Sequence, residues 1–349
     1  MFWIIGGDWL LDEFSKLTHN EAFRGVCMQF IDHMPWAGFR FYDMIFPLFL
    51  FIIGTTLPFS IGRRLEQGES KHQLVKKILV RAAILWAFGM IYNGALTANG
   101  WDHVRIFGVL QRQAFGYACA GILLIYTKPK TQIWTMVGIL LGYWALMALA
   151  PVPGVHPGTY TETGNFANYI DRLILAPGQM YEKYGDPEGP VSMIPAIATA
   201  LIGLLAGQWL KSSQPEQKKS AGLALAGLAC LALGLAWSPF FPIIKKIWTS
   251  SYVLFAGGMS LLLLALFHWI IDVKGWWKWS FPFIVIGMNP ITIYMLSAII
   301  DFTPVATFFV GGITHALPDE KQFILALSSL LIKWLLLYYM YTKKIFLRV

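Results

Sequence analysis

A histidine stands at position 33, directly ahead of one of the most apolar runs in the chain, in the stretch "IDHMPWAGFRFYDMIFPLFLFIIG" (31–54). Asp32 precedes it, Trp36 and Gly38 follow, and Asp43 opens the apolar run. Histidine is the side chain whose ordinary pKa lies near neutrality, so this imidazole could serve as a general base or as a nucleophile. Asp32 or Asp43 could orient the ring and fix its tautomer. Beside Pro35 and Trp36 it reads equally as an interfacial loop residue. Cys27, Cys119 and Cys230 are too far apart for a disulfide framework or a CxxC metal site, and no metal is expected.

The elements that must carry this histidine belong to a membrane. Of 349 residues 56% are hydrophobic and 13% charged, and the mean hydropathy is +0.56, a composition far from that of a soluble domain. Apolar runs of membrane-crossing length lie near 43–62, 78–95, 105–126, 132–150, 191–210, 221–238, 250–271, 280–300 and 322–342. "MFWIIGG" (1–7) reads as the tail of a further span. The expectation is an all-α, polytopic transmembrane helix bundle of about ten spans, forming a single domain over 1–349. No basic segment with a small-residue cleavage site precedes an apolar core, so no cleavable signal peptide is expected. "DWLLDEFSKL" (8–17) puts Trp9, Leu10, Phe14 and Leu17 on one face and reads as a short interfacial helix. In "GLALAGLACLALGLA" (222–236), Ala226, Cys230 and Gly234 recur every four residues and predict a close helix contact.

The net charge of +8 points to loop topology and not to nucleic acid. The loops 63–77, 127–131, 211–220 and 272–278 with the tail 343–349 hold 15 Lys and Arg in 44 residues, against 8 in the far longer opposite loops. The first side is therefore expected to be cytoplasmic, with both termini there. The loops 8–42, 151–190 and 301–321 then face outward. Lys245 and Lys246 go against this pattern.

Polar groups at membrane depth are costly unless paired or used. They are Asp43, Arg81, Asn93, Arg105, Gln111, Arg112, His268, Asn289 and Lys333. Arg81 suits snorkelling to the nearby edge. Arg112 suits either an inward functional face or an ion pair with Asp43. Asn289 precedes Pro290 and suits a helix break whose freed carbonyls it satisfies. Lys333 could be a site residue or a structural one. Phe-Pro followed by Ile-Gly occurs in both 43–54 and 279–290. That echo keeps a secondary transporter of a small sugar or anionic solute as the alternative.

Five segments, "FRFYDMIFPLFLFIIGTTLPFS" (39–60), "RIFGVLQRQAFGYA" (105–118), "YGDPEGPVSMIPAIATALIGLLAG" (184–207), "GMNPITIY" (287–294) and "YTKKIFLRV" (341–349), resemble the bacterial relatives of heparan-α-glucosaminide N-acetyltransferase. These are membrane-bound acyltransferases, and the matches are ordered along nearly the whole chain. One departure lies at the start: the longer first helix with "RGFD"-like residues that members carry is missing, so the first helix is expected to be truncated.

The resemblance implies a transmembrane acyltransferase fold and transfer of an acetyl group from cytoplasmic acetyl-CoA to the amino group of a glucosamine-type sugar on the outer side. The implied setting is a bacterial inner membrane, with the lipid bilayer as partner, a homodimer among the expected assemblies, and no nucleic acid. The family's His-x-x-Trp-x-Gly element ahead of Asp-x-x-Phe-Pro reads here His33, Trp36, Gly38, then Asp43, Phe46, Pro47. It implies His33 as the catalytic group with Asp43 beside it. An amine attacks a thioester only when unprotonated, which suits a histidine base. For the donor, Arg63, Arg64, Lys76, Lys77 and Arg81 are candidate phosphate partners, with Arg112 and Asn289 deeper. For the acceptor, the candidates are Trp36, Asp186 and Glu188, the last two in the turn sequence "GDPEG" (185–189) of an aromatic-rich outer loop.

Overall fold

The computed structural model describes residues 1–97 and 100–347, and every regular element among them is helical. Arg348 and Val349 of the expected cytoplasmic tail lie outside the described residues. The helices are α1 (Asp8–Leu17), α2 (Glu21–Ile31), α3 (Ile45–Leu57), α4 (Arg63–Glu66), α5 (Lys71–Tyr92), α6 (Val109–Tyr126), α7 (Pro129–Leu149), α8 (Phe166–Ile174), α9 (Met193–Lys211), α10 (Glu216–Trp237), α11 (Ser250–His268), α12 (Phe281–Met288), α13 (Pro290–Ile299), α14 (Thr303–Ala316) and α15 (Lys321–Thr342).

They form two compact units. The first comprises Met1–His33, Arg40–Tyr42 and Trp276–Val349; the second comprises Met34–Phe39 and Asp43–Gly275.

In the second unit α9 is central, with most of its residues buried. Small residues bring backbones into contact there: a Cβ on Gly203 would stand 1.9 Å from the Phe51 carbonyl oxygen, and one on Gly54 would stand 2.0 Å from that of Ala200. Only glycine permits α3 and α9 to approach so closely. The pair α10 and α11 meets in the same way, since a Cβ on Gly258 would lie 2.8 Å from the Gly227 oxygen. Of the expected contact residues Gly234 lies in this seam, where a Cβ would stand 2.9 Å from the Ser251 oxygen, and Cys230 packs against the core. Ala226 is exposed, and its buried neighbour Gly227 takes its place. Side chains cap helix N-termini: Ser70 Oγ accepts the Gln73 N–H at 3.3 Å at the exposed start of α5. Asn165 Oδ1 accepts the Asn168 N–H at 2.8 Å at the start of α8.

In the first unit α12 and α13 are bent by 62° at Asn289, which leaves helical geometry ahead of Pro290. The Asn289 amide donates to the Ile345 carbonyl at 3.0 Å and accepts the Leu347 N–H at 3.0 Å. It satisfies the C-terminal segment and not the break itself. Lys333 donates to the Ile5 carbonyl at 2.9 Å, beside Gly6 with its φ of 125°. Its ammonium therefore serves the chain kink near the start.

The protein is an integral membrane protein with a helical bundle. Among the described residues six helices are long and apolar enough to cross a membrane, or seven if the bent pair counts as one span. The helical membrane bundle expected from the sequence is present, and by length and apolarity six or seven of the roughly ten expected spans are accounted for among the described residues. The runs 78–95 and 105–126 do form helices, α5 and α6, but α5 begins with Lys71, Lys76, Lys77 and Arg81, and α6 with Gln111, Arg112 and Gln113, which lowers their apolarity. The expected loop 301–321 is largely α14, whose 14 residues are too few for a span and so gave no membrane signal.

Candidate active site

His33 sits where α2 ends. Asp32 leaves the helix in an extended conformation (φ −135°, ψ 153°), and His33 follows on exposed, non-helical chain. Asp32 Oδ1 accepts the His33 N–H at 2.8 Å, and Asp32 Oδ2 takes Arg40 Nη1 at 2.5 Å. The same guanidinium nitrogen donates to the His33 carbonyl at 3.1 Å. Both backbone groups of His33 are thus held by an ion pair, and Asp32 acts on it through the main chain. The imidazole lies 4.5 Å from the Tyr42 ring, centroid to centroid. The Tyr42 hydroxyl donates in turn to Asp8 Oδ2 at 2.7 Å.

In the second unit, the rest of the His-x-x-Trp-x-Gly element is pinned by hydrogen bonds to backbone carbonyls. The Trp36 indole N–H donates to the Tyr160 carbonyl at 2.8 Å. Gly38 adopts φ 119° and donates its N–H to Ile243 at 2.8 Å, a conformation that L side chains avoid. Asp43, fully buried, accepts the Met34 N–H at 3.2 Å and faces Lys245 Nζ at 3.5 Å. The Tyr252 hydroxyl donates to the Asp43 carbonyl at 2.8 Å. Burial lowers the Lys245 pKa, against the opposing pull of Asp43 and Glu188. The two lysines that break the charge pattern are therefore paired, since Lys246 meets Glu182 at 2.9 Å and Glu162 at 3.9 Å.

Arg112 is fully buried with its guanidinium 4.4 Å from the Trp248 ring. Nη2 donates to the Pro187 carbonyl at 2.6 Å and to Ser192 Oγ. Nε and Nη1 are buried without a hydrogen-bond partner. The expected pair with Asp43 is replaced: Asp43 takes Lys245, and Arg112 takes the 187–192 turn.

Asp186 and Glu188 are buried and both engage Arg105. Arg105 Nε and Nη2 form a fork on Asp186 at 2.8 and 2.6 Å, and Nη2 also meets Glu188. Asp186 further accepts the N–H groups of Tyr181 and Glu188 at 3.0 and 2.9 Å, and its own N–H donates to Asp171 Oδ2 at 3.0 Å. Asp171 Oδ1 is buried without a partner, and burial pushes the Asp171 pKa up to about 7 despite the Asp186 N–H.

Of the other basic residues, Arg63 and Arg64 lie exposed on α4, and Lys76 and Lys77 lie exposed on α5. Arg64 and Lys77 share Glu69, with Arg64 at 3.9 Å. Arg81 stacks on Tyr117 with its guanidinium 4.8 Å from the ring. His268 is satisfied by Ser220 at 2.6 Å and Glu216 at 2.9 Å.

Sequence reading missed Arg40, Tyr42, Lys245 and Tyr252, while Asp171 stood among the carboxylates of the aromatic-rich outer loop without its partner being foreseen. Only Lys245 left a signal, as a violation of the positive-inside pattern. Arg105 stood among the polar residues at depth, but without its carboxylate partners.

The family model described as heparan-alpha-glucosaminide N-acetyltransferase, catalytic, matches residues 16–233. That range holds His33, Asp43, Arg112, Asp186 and Glu188, and leaves Lys245, Tyr252 and Asn289 beyond it. Heparan-alpha-glucosaminide N-acetyltransferase of Homo sapiens is 30% identical over 80% of this chain, and that of Mus musculus is 29% identical over 95% of it. The chain spans 52% and 60% of those relatives' lengths. The motif around a backbone-clamped histidine and the match over most of the chain agree, and the chain belongs to the heparan-alpha-glucosaminide N-acetyltransferase catalytic family.

Proposed function

We propose that this protein is a membrane-embedded acetyltransferase that moves an acetyl group from cytoplasmic acetyl-CoA to the amino group of a glucosamine-type sugar on the outer side. The observation that carries the reading is His33 itself. It lies in the segment matched to the family, exposed, with its backbone fixed by Asp32 and Arg40 and its ring against Tyr42. A base that must meet an incoming amine needs this combination of access and fixed position.

The step balances as follows. A neutral amine attacks the thioester carbonyl, and His33 takes a proton from nitrogen as the C–N bond forms. The C–S bond then breaks, and the imidazolium returns the proton to the departing sulfur. The products are an acetamide and a free thiol, with the imidazole restored.

The second unit supplies groups suited to the donor. The unpartnered N–H groups of Arg112 fit an oxygen of the acyl-bearing arm, because a buried donor without an acceptor is costly. Arg63, Arg64, Lys77 and Arg81 are the proposed phosphate-side partners. Asp43 fixes the segment that follows His33. Trp36 is proposed to shape the acceptor side, while Asp186 and Glu188 hold Arg105 and brace the 184–189 turn. The loop charge asymmetry supports cytoplasmic termini in a bacterial inner membrane, and labelled cysteines at 211–220 should react only from the cytoplasmic side.

The deciding experiment supplies the purified chain with labelled acetyl-CoA and glucosamine. Labelled N-acetylglucosamine with release of free thiol is expected. Uptake of sugar into vesicles with no consumption of acetyl-CoA would overturn the reading.

A further inference from the structure

The first unit contains an open cavity of about 370 Å³ lined by Asp8, Trp9, Asp12, Arg24 and Asp32 over the apolar side chain of Met28. We infer that this cavity, and not the 184–189 turn, is where the amino sugar binds as its ammonium form, an inference that rests on the acetyltransferase reading.

The lining fits that cargo. An ammonium brings three N–H donors and needs acceptors around it. Asp12 and Asp32 have protein partners, but their side chains keep 31% and 53% exposure, so oxygen lone pairs remain for a ligand. The Trp9 indole adds a ring face that attracts a cation. Arg24, which is exposed, lines the same cavity beside three carboxylates. Its N–H groups are of the kind that donate to sugar oxygens. The volume lies within the usual range for a small-molecule site.

Two walls of the cavity also hold the proposed base. Asp32 accepts the His33 N–H at 2.8 Å. Asp8 accepts the Tyr42 hydroxyl at 2.7 Å, and the Tyr42 ring lies 4.5 Å from the imidazole. Two of the cavity's carboxylates thus also fix the residues around the imidazole. A bound ammonium first releases one proton to solvent through the open cavity, and the neutral amine that remains is the species whose next proton His33 takes during transfer. Asp186 and Glu188, by contrast, are buried against Arg105. They offer an ammonium little that Arg105 does not already occupy.

The test measures glucosamine binding to the full chain in detergent, with glucose as the uncharged control, for wild type, Trp9→Ala, Asp12→Asn and Arg24→Gln. Equal thermal melts identify the variants that fold, and the exposed Arg24→Gln guards against loss of Trp9→Ala. The expected result is preference for glucosamine over glucose, with binding weakened tenfold or more in Asp12→Asn and Trp9→Ala. Unchanged binding in the folded variants, or none to wild type, overturns the inference. Acetyl transfer is read on the same preparations. Pocket-dependent binding without transfer sustains the cavity and sinks the acetyltransferase reading. Transfer with a wild-type acceptor KM in the folded variants does the reverse.

Discussion

The Lys245 ammonium stands 3.5 Å from Oδ1 of Asp43, joining the start of α3 to the turn before α11. The other oxygen of the same carboxylate accepts the N–H of Met34, the residue after His33. One buried carboxylate thus ties together a distant cation and the backbone of the candidate site.

Removing Asp43 should be expensive. Asp43→Ala removes a fully buried carboxylate that faces the half-buried Lys245 and should cost about 3–5 kcal/mol, the usual loss when one partner of a buried pair is deleted. The double variant Asp43→Ala/Lys245→Met should recover most of that loss. Thermal or denaturant melts in detergent read both, and a wild-type melt for Asp43→Ala would show that Lys245 is solvated.

His33→Ala should lose acetyl transfer by about two orders of magnitude or more, the scale of a positioned general base. Acetyl-CoA binding should stay within a few-fold of wild type, because the proposed donor partners lie elsewhere. If His33 carries the acetyl group covalently, label should remain on wild-type protein without sugar and vanish from the variant. An active His33→Ala protein returns the histidine to a surface role.

Arg112→Lys keeps a charge but loses the forked donors to Pro187 and Ser192. Stability or acetyl-CoA binding should fall by about 1–3 kcal/mol. A variant with both at wild-type values would mean that the guanidinium holds neither the turn nor the donor.

Asp171 should make stability depend on pH. Its folded pKa is raised to about 7, whereas an unfolded aspartate titrates near about 3.9. The folded state therefore keeps a proton that the unfolded chain has lost. The contribution is complete below about pH 4 and is lost as pH rises through about 7, on the order of a few kcal/mol. The difference in melting temperature between wild type and Asp171→Asn should shift against wild type from about pH 5 to about pH 8. A constant difference would show that Asp171 is already ionised in the fold.

The sequence by itself determined the membrane class, because apolar runs and loop charges are properties of composition and order. It also marked α1 as a short amphipathic helix, the break at Asn289, and His33 with Trp36, Gly38 and Asp43 as the motif of interest. These signals are local: a helical period, a proline, a short spacing. Partner choice was another matter, since it depends on which residues meet across the fold. Arg105 with Asp186, Asp43 with Lys245, and Asp8 with Tyr42 are 81, 202 and 34 residues apart. No spacing rule links them, because burial and backbone approach decide which charge finds which. Gly54 and Gly203 decide how near α3 comes to α9. α14 was hidden for the opposite reason: it is too short for a membrane signal, and only its packing against α15 reveals it. Tertiary structure alone therefore assigned Asp186 and Glu188 to Arg105, and Asp8 to Tyr42.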